Sequence, residues 1–409
     1  MTTDNGHSSR RIPRVVFLNP WDRFIGPNRY LLEMLRHAPE LARHATVVFH
    51  KENGAIEEYE SIGCKVAVCP DVEQVRAQFG MGNLLSLVKH HTIGLKRFVK
   101  FIRDFKPDMV VSNTEQLLVG GIAAHLLRIP HIKIFHAMSF AYRFERWPRL
   151  LKTYLHTFTL ESDRIVAVSE TLKRGLVSGG VKESKVTAIP NPLPIRDLKA
   201  AADQELPAGL EFRLAQHSPI IANAGVIFPR KGQDQLIEAL PAICERFPKT
   251  LCVFAGRVGD SSGCEDTNGF YKILQNHVQR LKLNNNVLFV GDIDYLPSLL
   301  RRADIYVQTS RTESFCRVIA ESLVCDTPVV SFDVGACAEV GGPGAILVRP
   351  GDTQTLASEI IHLLEHPGRM KELIEKGSRH IEQHYEANDI STRFIELLTG
   401  EVLKRKYQS

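Results

Sequence analysis

Two glutamates eight residues apart, Glu313 and Glu321, flank the start of a predicted helix that follows an apolar strand. The first turn of a helix leaves backbone N–H groups unpaired and carries the positive end of the helix dipole. Residues 316–318 can therefore seat a pyrophosphate. Carboxylates accept hydrogen bonds from neighbouring sugar hydroxyls, so the two glutamates can hold the sugars of the same ligand. The same spacing also fits a helix-start acid followed by a solvated helical glutamate, with no ligand.

The elements that would position these residues repeat a strand–helix alternation in both halves of the chain. Short apolar runs predict strands, and apolar-periodic stretches between them predict helices. The predicted strands are 14–18, 46–50, 65–68, 109–112, 131–135 and 164–168, followed by 220–225, 251–255, 287–290, 305–308, 328–332 and 345–348. Such alternation is typical of parallel sheets covered by helices on both faces, whose ligands bind beyond the carboxyl ends of the strands.

Length and patterning divide the chain into two domains. A chain of 409 residues exceeds one ordinary hydrophobic core. A charged, proline-containing stretch interrupts the alternation in the middle of the chain, as expected of a linker. The predicted parts are a flexible N-terminus at 1–13, a first domain at 14–194, a linker at 195–218, a second domain at 219–385 and a C-terminal helix at 386–409.

The composition excludes several classes of protein. Hydrophobic residues make up 44% and charged residues 24%, as in folded soluble proteins. The net charge of +5 is too small for a nucleic-acid-binding surface. The eight cysteines show no CxxC pair and no zinc-ligand spacing, which is typical of reduced thiols in the cytosol. No signal peptide is predicted at the start, and no run of about 18 apolar residues predicts a membrane span.

Several motifs stand in a fixed order around the two glutamates. They are Pro-Arg-Lys-Gly at 229–232, Phe-Val-Gly-Asp at 289–292, the stretch 299–305, the glutamates themselves, Thr-Pro-Val-Val at 327–330, Gly335, the pair 338–339 and the stretch 348–352. In this order the chain resembles glycosyltransferase family 4, the retaining transferases of the GT-B architecture. The resemblance implies an α/β fold of two Rossmann-like doubly wound domains facing across a cleft, with the C-terminal helix crossing back to the N-terminal domain. It also implies that 14–194 binds the acceptor and that 219–385 binds the nucleotide sugar.

The resemblance assigns roles to individual residues. Lys231 would neutralise the donor phosphates, Glu313 would hold hydroxyls of the donor sugar, and His136 would face the reacting centre. These three are the implied catalytic residues, and Glu321 would clamp the ribose. The implied donor and nucleotide contacts are Gly26, Gly225, Arg230, Gly256, Gly291, Asp292, Ile293, Phe315, Cys316, Arg317, Val318 and Glu321.

Four positions depart from the pattern of the family. Ile25 stands where the first glycine loop commonly has a second glycine, and Ser322 follows Glu321 where the family has alanine. Val226 stands where an arginine usually follows the glycine of the second domain's first loop, which removes one expected cation from the diphosphate. Arg230 and Arg317 are nearby basic residues that can replace it. Cys316 stands where the family has glycine, so its side chain is expected either to narrow the phosphate seat or to shift the donor.

The implied activity is transfer of a sugar, with retention of configuration, from a nucleotide sugar to a hydroxyl acceptor. A UDP-sugar is the first expectation for the donor and a GDP-sugar the second. The acceptor is a sugar, a lipid-linked molecule or a small molecule, and nucleic acid is not an expected partner. We expect no cofactor and no divalent metal. The sequence Asp292-Ile293-Asp294 spells a metal-binding DxD, but it follows a strand of the second domain where the base-binding loop belongs.

A basic, apolar-periodic stretch at 84–106 has two interpretations. Its apolar face can pack on the core while its basic face is solvated. Alternatively, it can touch a membrane surface that carries a lipid-linked acceptor. The expected location is the cytoplasm, with peripheral contact at the inner face of the membrane under the second interpretation.

Other activities fit parts of the same pattern. A sugar-nucleotide 2-epimerase shares the two domains and the nucleotide clamp, and a product assay with a UDP-sugar alone would separate it from a transferase. A catalytically impaired glycan-binding or nucleotide-sugar-binding homologue is motivated by Val226 and Cys316, and transfer or donor hydrolysis at ordinary rates would exclude it. A dinucleotide-dependent oxidoreductase is disfavoured because no GxGxxG follows the first strand.

Overall fold

The computed structural model describes residues 11–20, 26–72, 94–117, 119–137, 162–258 and 267–408. The chain divides into two compact units. The first is formed by Met1–Pro192 together with Ala387–Ser409, and the second by Leu193–Glu386. Each unit is built on one parallel β-sheet with helices between its strands.

The first unit contains a seven-stranded sheet. Its elements are β1 (Val15–Asn19), α1 (Gly26–Arg36), α2 (Pro39–His44), β2 (Ala45–Phe49), α3 (Ile56–Ser61), β3 (Lys65–Val68), α4 (Leu95–Asp104), β4 (Met109–Ser112), α5 (Val119–Leu127), β5 (His131–Phe135), β6 (Arg164–Ala167), α6 (Glu170–Ser178) and β7 (Val186–Ala188). Every residue of β1, β2, β4 and β5 is buried. Burial on both faces explains why β1 reads as a nearly continuous apolar run, whereas β5 buries His131 and Lys133 among its apolar residues.

The second unit contains a six-stranded sheet. Its elements are α7 (Ile195–Ala202), α8 (Ala208–Ala215), β8 (Ile220–Ala224), α9 (Gln233–Arg246), β9 (Leu251–Ala255), α10 (Thr267–Arg280), β10 (Val287–Gly291), α11 (Leu296–Arg302), β11 (Ile305–Gln308), α12 (Arg317–Val324), β12 (Val329–Phe332), α13 (Cys337–Gly341), β13 (Ala345–Val348), α14 (Thr353–Glu365) and α15 (Pro367–Tyr385). A last helix, α16 (Ala387–Gln408), follows in the first unit.

Each sheet reverses its strand order at one point. The first sheet has the order β3-β2-β1-β4-β5-β6-β7, and the second has the order β10-β9-β8-β11-β12-β13. All neighbouring strands are parallel. The reversals fall between β1 and β4 and between β8 and β11, where loops leave the sheet on opposite faces and a crevice opens at the carboxyl ends. The predicted doubly wound fold in two domains is therefore confirmed.

The predicted linker at 195–218 is wrong, because this stretch forms helices α7 and α8 within the second unit. Leu210 and Leu214 lie one turn apart and are buried. The hydroxyl of Ser298, on α11, donates to the carbonyl of Ala201 at 2.8 Å. The charged residues of the stretch are exposed or half-buried on these amphipathic helices, and their number obscures the apolar pattern.

The C-terminal helix α16 packs within the first unit, as expected from the crossing predicted for it. The ring of Phe394 lies 6.4 Å from the ring of Phe17 in β1. Glu401 accepts from Nε of Arg164, in β6, at 2.8 Å. These contacts join the last residues of the chain to the first sheet.

Helix α4 shows how the described part of 84–106, residues 94–106, packs; residues 84–93 lie outside the described ranges. Phe98, Val99 and Ile102 are buried in the core of the first unit. The basic residues of the helix, Lys96, Arg97, Lys100 and Arg103, are exposed. The apolar face of α4 therefore packs on the core. Within the described ranges, no helix combines the length and the apolar character needed to cross a membrane.

Candidate active site

Four neighbouring strands of the second sheet end in loops that carry predicted donor contacts. Gly225 follows β8, Gly256 follows β9, Gly291 ends β10, and the polar loop 309–316 follows β11. The backbone N–H of Gly256 donates to the carbonyl of Gly291 at 2.7 Å, and that of Gly225 donates to Ala255 at 2.8 Å. The predicted contacts of the second unit therefore line one edge of its sheet, at the reversal of strand order.

Gly256 has to be glycine because the backbone of Gly225 passes directly beside it. Its φ is +156°, and an added Cβ would lie 1.9 Å from the carbonyl oxygen of Gly225. No side chain fits in that space. Because the two loops lie so close together, this part of the sheet edge consists of backbone atoms and not of side chains.

Residues 229–231 form a 3-10 turn that is fastened to loop 309–316. The backbone N–H of Arg311 donates to the carbonyl of Arg230 at 2.8 Å. The Arg311 guanidinium makes two contacts with Asp234 at the start of α9, at 2.6 and 3.1 Å. A two-pronged arginine–carboxylate contact fixes orientation as well as distance. The turn and the loop therefore hold their side chains in a defined relative position.

Lys231 and Glu313 form an ion pair between this turn and this loop. Lys231 Nζ lies 2.6 Å from Glu313 Oε1, and the two side chains are 20% and 10% exposed. The same oxygen accepts from Ser310 Oγ at 2.7 Å and from Gln308 Nε2 at 3.2 Å. Burial raises the pKa of Glu313, but the nearby cations Lys231 and Arg230 and the hydrogen bonds outweigh it, so the pKa lies below its ordinary value. Glu313 is therefore a carboxylate at neutral pH.

The polar residues that hydrogen-bond to Glu313, directly or through one another, were not identified from the sequence. The Tyr306 hydroxyl donates to Gln308 Oε1, and Gln308 Nε2 donates to Ser310 Oγ at 2.6 Å. Tyr306, Gln308 and Ser310 are all fully buried or nearly so. Their spacing of two residues puts them on one face of β11 and its extension. Alternating polar residues at the end of a buried strand are the sequence signal that could have found them.

Cys316 precedes helix α12 and has a buried side chain. This residue has φ +63°, a conformation that favours glycine, and precedes Arg317, the first residue of the helix. Its Sγ lies 2.9 Å from Sγ of Cys337, and the residue is only 5% exposed. The thiol is therefore buried against Cys337, and the effect of Cys316 on phosphate binding stays a prediction. Phe315 is buried as well, with its ring 5.5 Å from that of Tyr385.

Glu321 is paired along its own helix. Arg317 Nε donates to Glu321 Oε1 at 2.7 Å, and Glu321 is 4% exposed. Val318, between them, is half-buried. The arginine that was considered a replacement for the missing cation at Val226 is thus bound to the predicted ribose clamp. An i, i+4 pair of opposite charges was visible in the sequence.

The predicted base-binding loop follows β10. Gly291 has φ +75°, Asp292 is exposed and Ile293 is half-buried. In the part of the chain that the structure describes, His, Cys, Asp and Glu side chains form no group of three that could hold a metal ion. Asp292 and Asp294 therefore have no third acidic, histidine or cysteine partner among the described residues.

Gly26 and His136 lie in the first unit, at the carboxyl edge of the first sheet. Gly26 opens helix α1, and His136 directly follows β5. His136 Nε2 lies 2.9 Å from Oδ1 of Asn113, the residue after β4. Its ring stands edge-on to that of Tyr30, with centroids 5.2 Å apart. Burial lowers the pKa of His136 to about 3, so the imidazole is neutral.

Two family models together match most of the chain. Residues 25–196 match glycosyltransferase family 4, and residues 211–380 match the glycosyl transferases group 1. The two matches follow the two structural units and include every predicted site residue. The chain belongs to glycosyltransferase family 4.

Several characterised glycosyltransferases are similar in sequence. The GPI3 subunit of phosphatidylinositol N-acetylglucosaminyltransferase from Saccharomyces cerevisiae is 25% identical over 63% of this chain and 56% of its own length. A GDP-mannose-dependent monoacylated alpha-(1-6)-phosphatidylinositol monomannoside mannosyltransferase from Corynebacterium glutamicum is 28% identical over 45% and 48%. The lipopolysaccharide core biosynthesis mannosyltransferase LpcC of Rhizobium leguminosarum is 24% identical over 69% and 76%. The chain thus spans about half the length of the first two.

Solved structures show the same architecture. Anabaena HepE in complex with UDP and glucose superimposes with a TM-score of 0.77 at 21% identity, over 95% of this chain and 99% of the other. Sucrose-phosphate synthase from Thermosynechococcus elongatus gives a TM-score of 0.73 at 18% identity, over 94% and 98%. At these identities the likeness is one of fold, and it agrees with the two Rossmann-like units of a GT-B glycosyltransferase.

Proposed function

We propose that this protein is a retaining glycosyltransferase that moves a sugar from a nucleotide sugar to a hydroxyl acceptor. The observation that carries the proposal is the Lys231–Glu313 pair, which stands at the reversal of strand order in the second sheet. Glu313 lies on the loop that follows β11, and Lys231 lies on the 3-10 turn that is hydrogen-bonded to this loop. A cation and a carboxylate at one sheet edge suit a ligand that carries both phosphates and hydroxyl groups.

Lys231 supplies positive charge for the departing nucleotide. Cleavage of the sugar–phosphate bond builds negative charge on the leaving diphosphate, and a fixed cation stabilises that charge in the transition state. The unpaired N–H groups at the start of α12 add to the same effect. The donor diphosphate then binds near Lys231, where it competes with the Glu313 carboxylate for the lysine ammonium group.

Glu313 holds the donor sugar and is not the base of the reaction. An efficient general base has a pKa near the working pH, whereas the pKa of Glu313 lies below its ordinary value. Three donors already bind its Oε1, so Oε2 is the oxygen that can accept from sugar hydroxyls. In retaining transfer of this kind the acceptor attacks the face that the nucleotide leaves, and a leaving phosphate oxygen takes the proton of the acceptor.

The donor is a UDP-sugar first and a GDP-sugar second, with no cofactor and no divalent metal. Lys231 and the start of α12 supply the positive charge that a metal would otherwise provide. UDP occurs in a complex of Anabaena HepE, and GDP-mannose in the name of the Corynebacterium relative. Purified protein should be screened by thermal shift against UDP-, GDP- and ADP-sugars, because a ligand that binds the native state raises Tm.

The decisive experiment is turnover of the donor found in that screen, with and without EDTA. Transfer to an added sugar or lipid acceptor, with the anomeric configuration of the donor retained and with rates unchanged by EDTA, is the expected result. Inverted product would refute retention, and loss of activity with EDTA would refute metal independence. Conversion of a UDP-sugar to its 2-epimer without any acceptor would identify the epimerase instead.

One observation favours a second candidate, a nucleotide-sugar-binding homologue with impaired catalysis. Arg317 is bound to Glu321, and Arg230 donates to the carbonyl of Thr312 at 3.1 Å. Both arginines thus contact other groups, and neither contact supplies the diphosphate cation that is missing at Val226. Donor binding in the thermal-shift screen, combined with neither hydrolysis nor transfer, would support this candidate, and ordinary turnover would exclude it.

The protein works in the cytoplasm and contacts the inner face of the membrane peripherally, where it meets a lipid-linked acceptor. Two relatives carry phosphatidylinositol in the names of their activities. The exposed basic face of α4 suits an anionic surface. Cosedimentation with vesicles containing phosphatidylinositol should exceed that with phosphatidylcholine vesicles and should weaken with salt. Equal binding to both vesicles, or none, would refute the membrane contact.

A further inference from the structure

Asn113 lies where the strand order of the first sheet reverses. It directly follows β4, next to Asn19 at the end of β1, because β1 and β4 are adjacent parallel strands. His136 follows β5, the next strand of the sheet. Ligands of doubly wound sheets bind at this point, and Asn113 was not identified from the sequence. It is buried, with 0% exposure.

The hydrogen bonds of Asn113 fix which way its amide points. Nδ2 donates to the backbone carbonyl of Pro27 at 3.0 Å and to Oδ1 of Asn19 at 3.3 Å. A backbone carbonyl only accepts, so the atom that faces Pro27 must be the NH₂ group. The other end of the amide, Oδ1, then faces His136 Nε2 at 2.9 Å.

The partners of Asn113 are themselves fixed. Asn19 Nδ2 donates to Oδ1 of Asn28 at 2.9 Å, and the Tyr59 hydroxyl donates to the same oxygen at 2.7 Å. Asn28 is the third residue of α1 and is fully buried. A buried polar network of this kind is rigid because every broken bond leaves a desolvated group without a partner.

This orientation determines the tautomer of His136. An amide oxygen only accepts, so Nε2 of the neutral ring has to carry the proton. Nδ1 then carries a lone pair. Among the residues that the structure describes, no hydrogen bond engages Nδ1. Within the described ranges, the hydrogen-bond partner of the ring is Asn113 and its aromatic neighbour is Tyr30, and neither is charged at neutral pH.

We propose that Asn113 is a positioning residue for His136: it holds the ring with Nε2 protonated and presents Nδ1 as the acceptor of a ligand hydroxyl. The same amide holds the start of α1 through Pro27, so one side chain sets both first-unit elements of the predicted site. The inference rests on the proposed function, which places His136 at the reacting centre. Its claim about the tautomer is independent of turnover.

The tautomer is measured by nitrogen NMR of the protein labelled with ¹⁵N in its histidine rings. The His136 signals are assigned by their loss in His136→Gln. We expect one protonated nitrogen, Nε2, and one bare nitrogen, Nδ1, unchanged between about pH 5 and pH 8. A wild-type ring protonated on Nδ1 and bare on Nε2 would overturn the proposal, and this measurement needs no variant at position 113.

Asn113→Asp tests the cause. A carboxylate in place of the amide stabilises the imidazolium, so His136 should become doubly protonated and titrate within that pH range. Asn286→Asp is the matched control, because Asn286 Nδ2 also donates to two backbone carbonyls, those of Pro248 and Thr250, in the second unit. The control should leave the His136 signals unchanged. An unchanged His136 titration in folded Asn113→Asp would overturn the proposal.

A kinetic cycle connects the tautomer with the reaction. Asn113→Ser should lower kcat by about tenfold in the wild-type background, a modest share of what a positioned acid–base or hydrogen-bonding group supplies. In a His136→Gln background the same change should lower kcat by a clearly smaller factor, because the ring it positions is gone and only its contact with the start of α1 at Pro27 is lost. Equal losses in both backgrounds would overturn the positioning role. Absence of transfer by the wild-type protein would refute the proposed function while the NMR result stands.

Discussion

Nζ of Lys231 lies 2.6 Å from Oε1 of Glu313, and both charges are largely removed from solvent. Each charge therefore depends on the other. Removal of one partner leaves a desolvated charge unpaired, whereas removal of both leaves neutral groups. This dependence allows the contribution of the pair to folding to be measured separately from its contribution to transfer.

Lys231→Met should lower both stability and turnover. We expect a loss of about 1–3 kcal/mol in the free energy of unfolding, because Glu313 is left without its cation. Turnover should fall about 10²–10³-fold if Lys231 acts as strongly as one oxyanion-hole donor. Urea unfolding and initial rates at saturating donor measure the two effects.

The double variant Lys231→Met, Glu313→Gln provides the control. It should recover most of the unfolding free energy, because no charge remains unpaired, but it should recover no turnover. Recovery of turnover together with stability would mean that Lys231 acts only through folding. Wild-type rates in Lys231→Met alone would remove Lys231 from the mechanism.

Ser310→Ala should weaken the hold on Glu313 without removing its charge. The hydroxyl supplies one of three hydrogen bonds to Oε1, so its loss should lower the unfolding free energy by about 1 kcal/mol and raise the KM for the donor several-fold. Ser322→Ala is the matched control: Ser322 is also buried and donates to a backbone carbonyl, that of Val318, at 2.7 Å. Equal donor KM values in the two variants would contradict a role of Ser310 in positioning Glu313.

The stability that Glu313 contributes should disappear in acid. Its pKa is lowered in the folded protein, so the contribution is fully present above the unfolded value of 4.5 and is lost as the pH falls through the lower folded value. The difference in unfolding free energy between wild type and Glu313→Gln should therefore be constant near neutral pH and shrink below about pH 4.5. A difference that grows in acid would reverse the sign of the pKa shift.

The sequence predicted the fold well because burial on both faces leaves a strong pattern. The strands at 14–18 and 220–225 agree closely with β1 and β8. The linker prediction was wrong because α7 and α8 bury few residues and carry many charged ones. The charged composition obscured the helical spacing of Leu210 and Leu214.

Site chemistry was predictable only where one segment carries it. The pair of Arg317 and Glu321 is set by helical spacing, and sequence alone could have indicated it. Asn113 and His136 are 23 residues apart and meet only because β4 and β5 are neighbours. That pairing depends on strand order, which motif and spacing do not contain. The same holds for the buried thiol of Cys316. It contacts the thiol of Cys337, which lies 21 residues later, at the start of α13.

The backbone of Gly335 packs directly against the backbone of Glu313 and leaves no room for a side chain at position 335. Its φ is +55°, and an added Cβ would lie 1.7 Å from the carbonyl oxygen of Glu313. Gly335→Ala should therefore displace loop 309–316, with a loss of unfolding free energy well above 1 kcal/mol and weaker nucleotide binding by titration calorimetry. Gly180→Ala isolates the backbone part of this effect, because Gly180 has φ +96° and nothing within 4 Å of an added Cβ. It should lose only about 1 kcal/mol and bind nucleotide normally. Equal losses in the two variants would show that the clash with Glu313 relaxes without moving the loop.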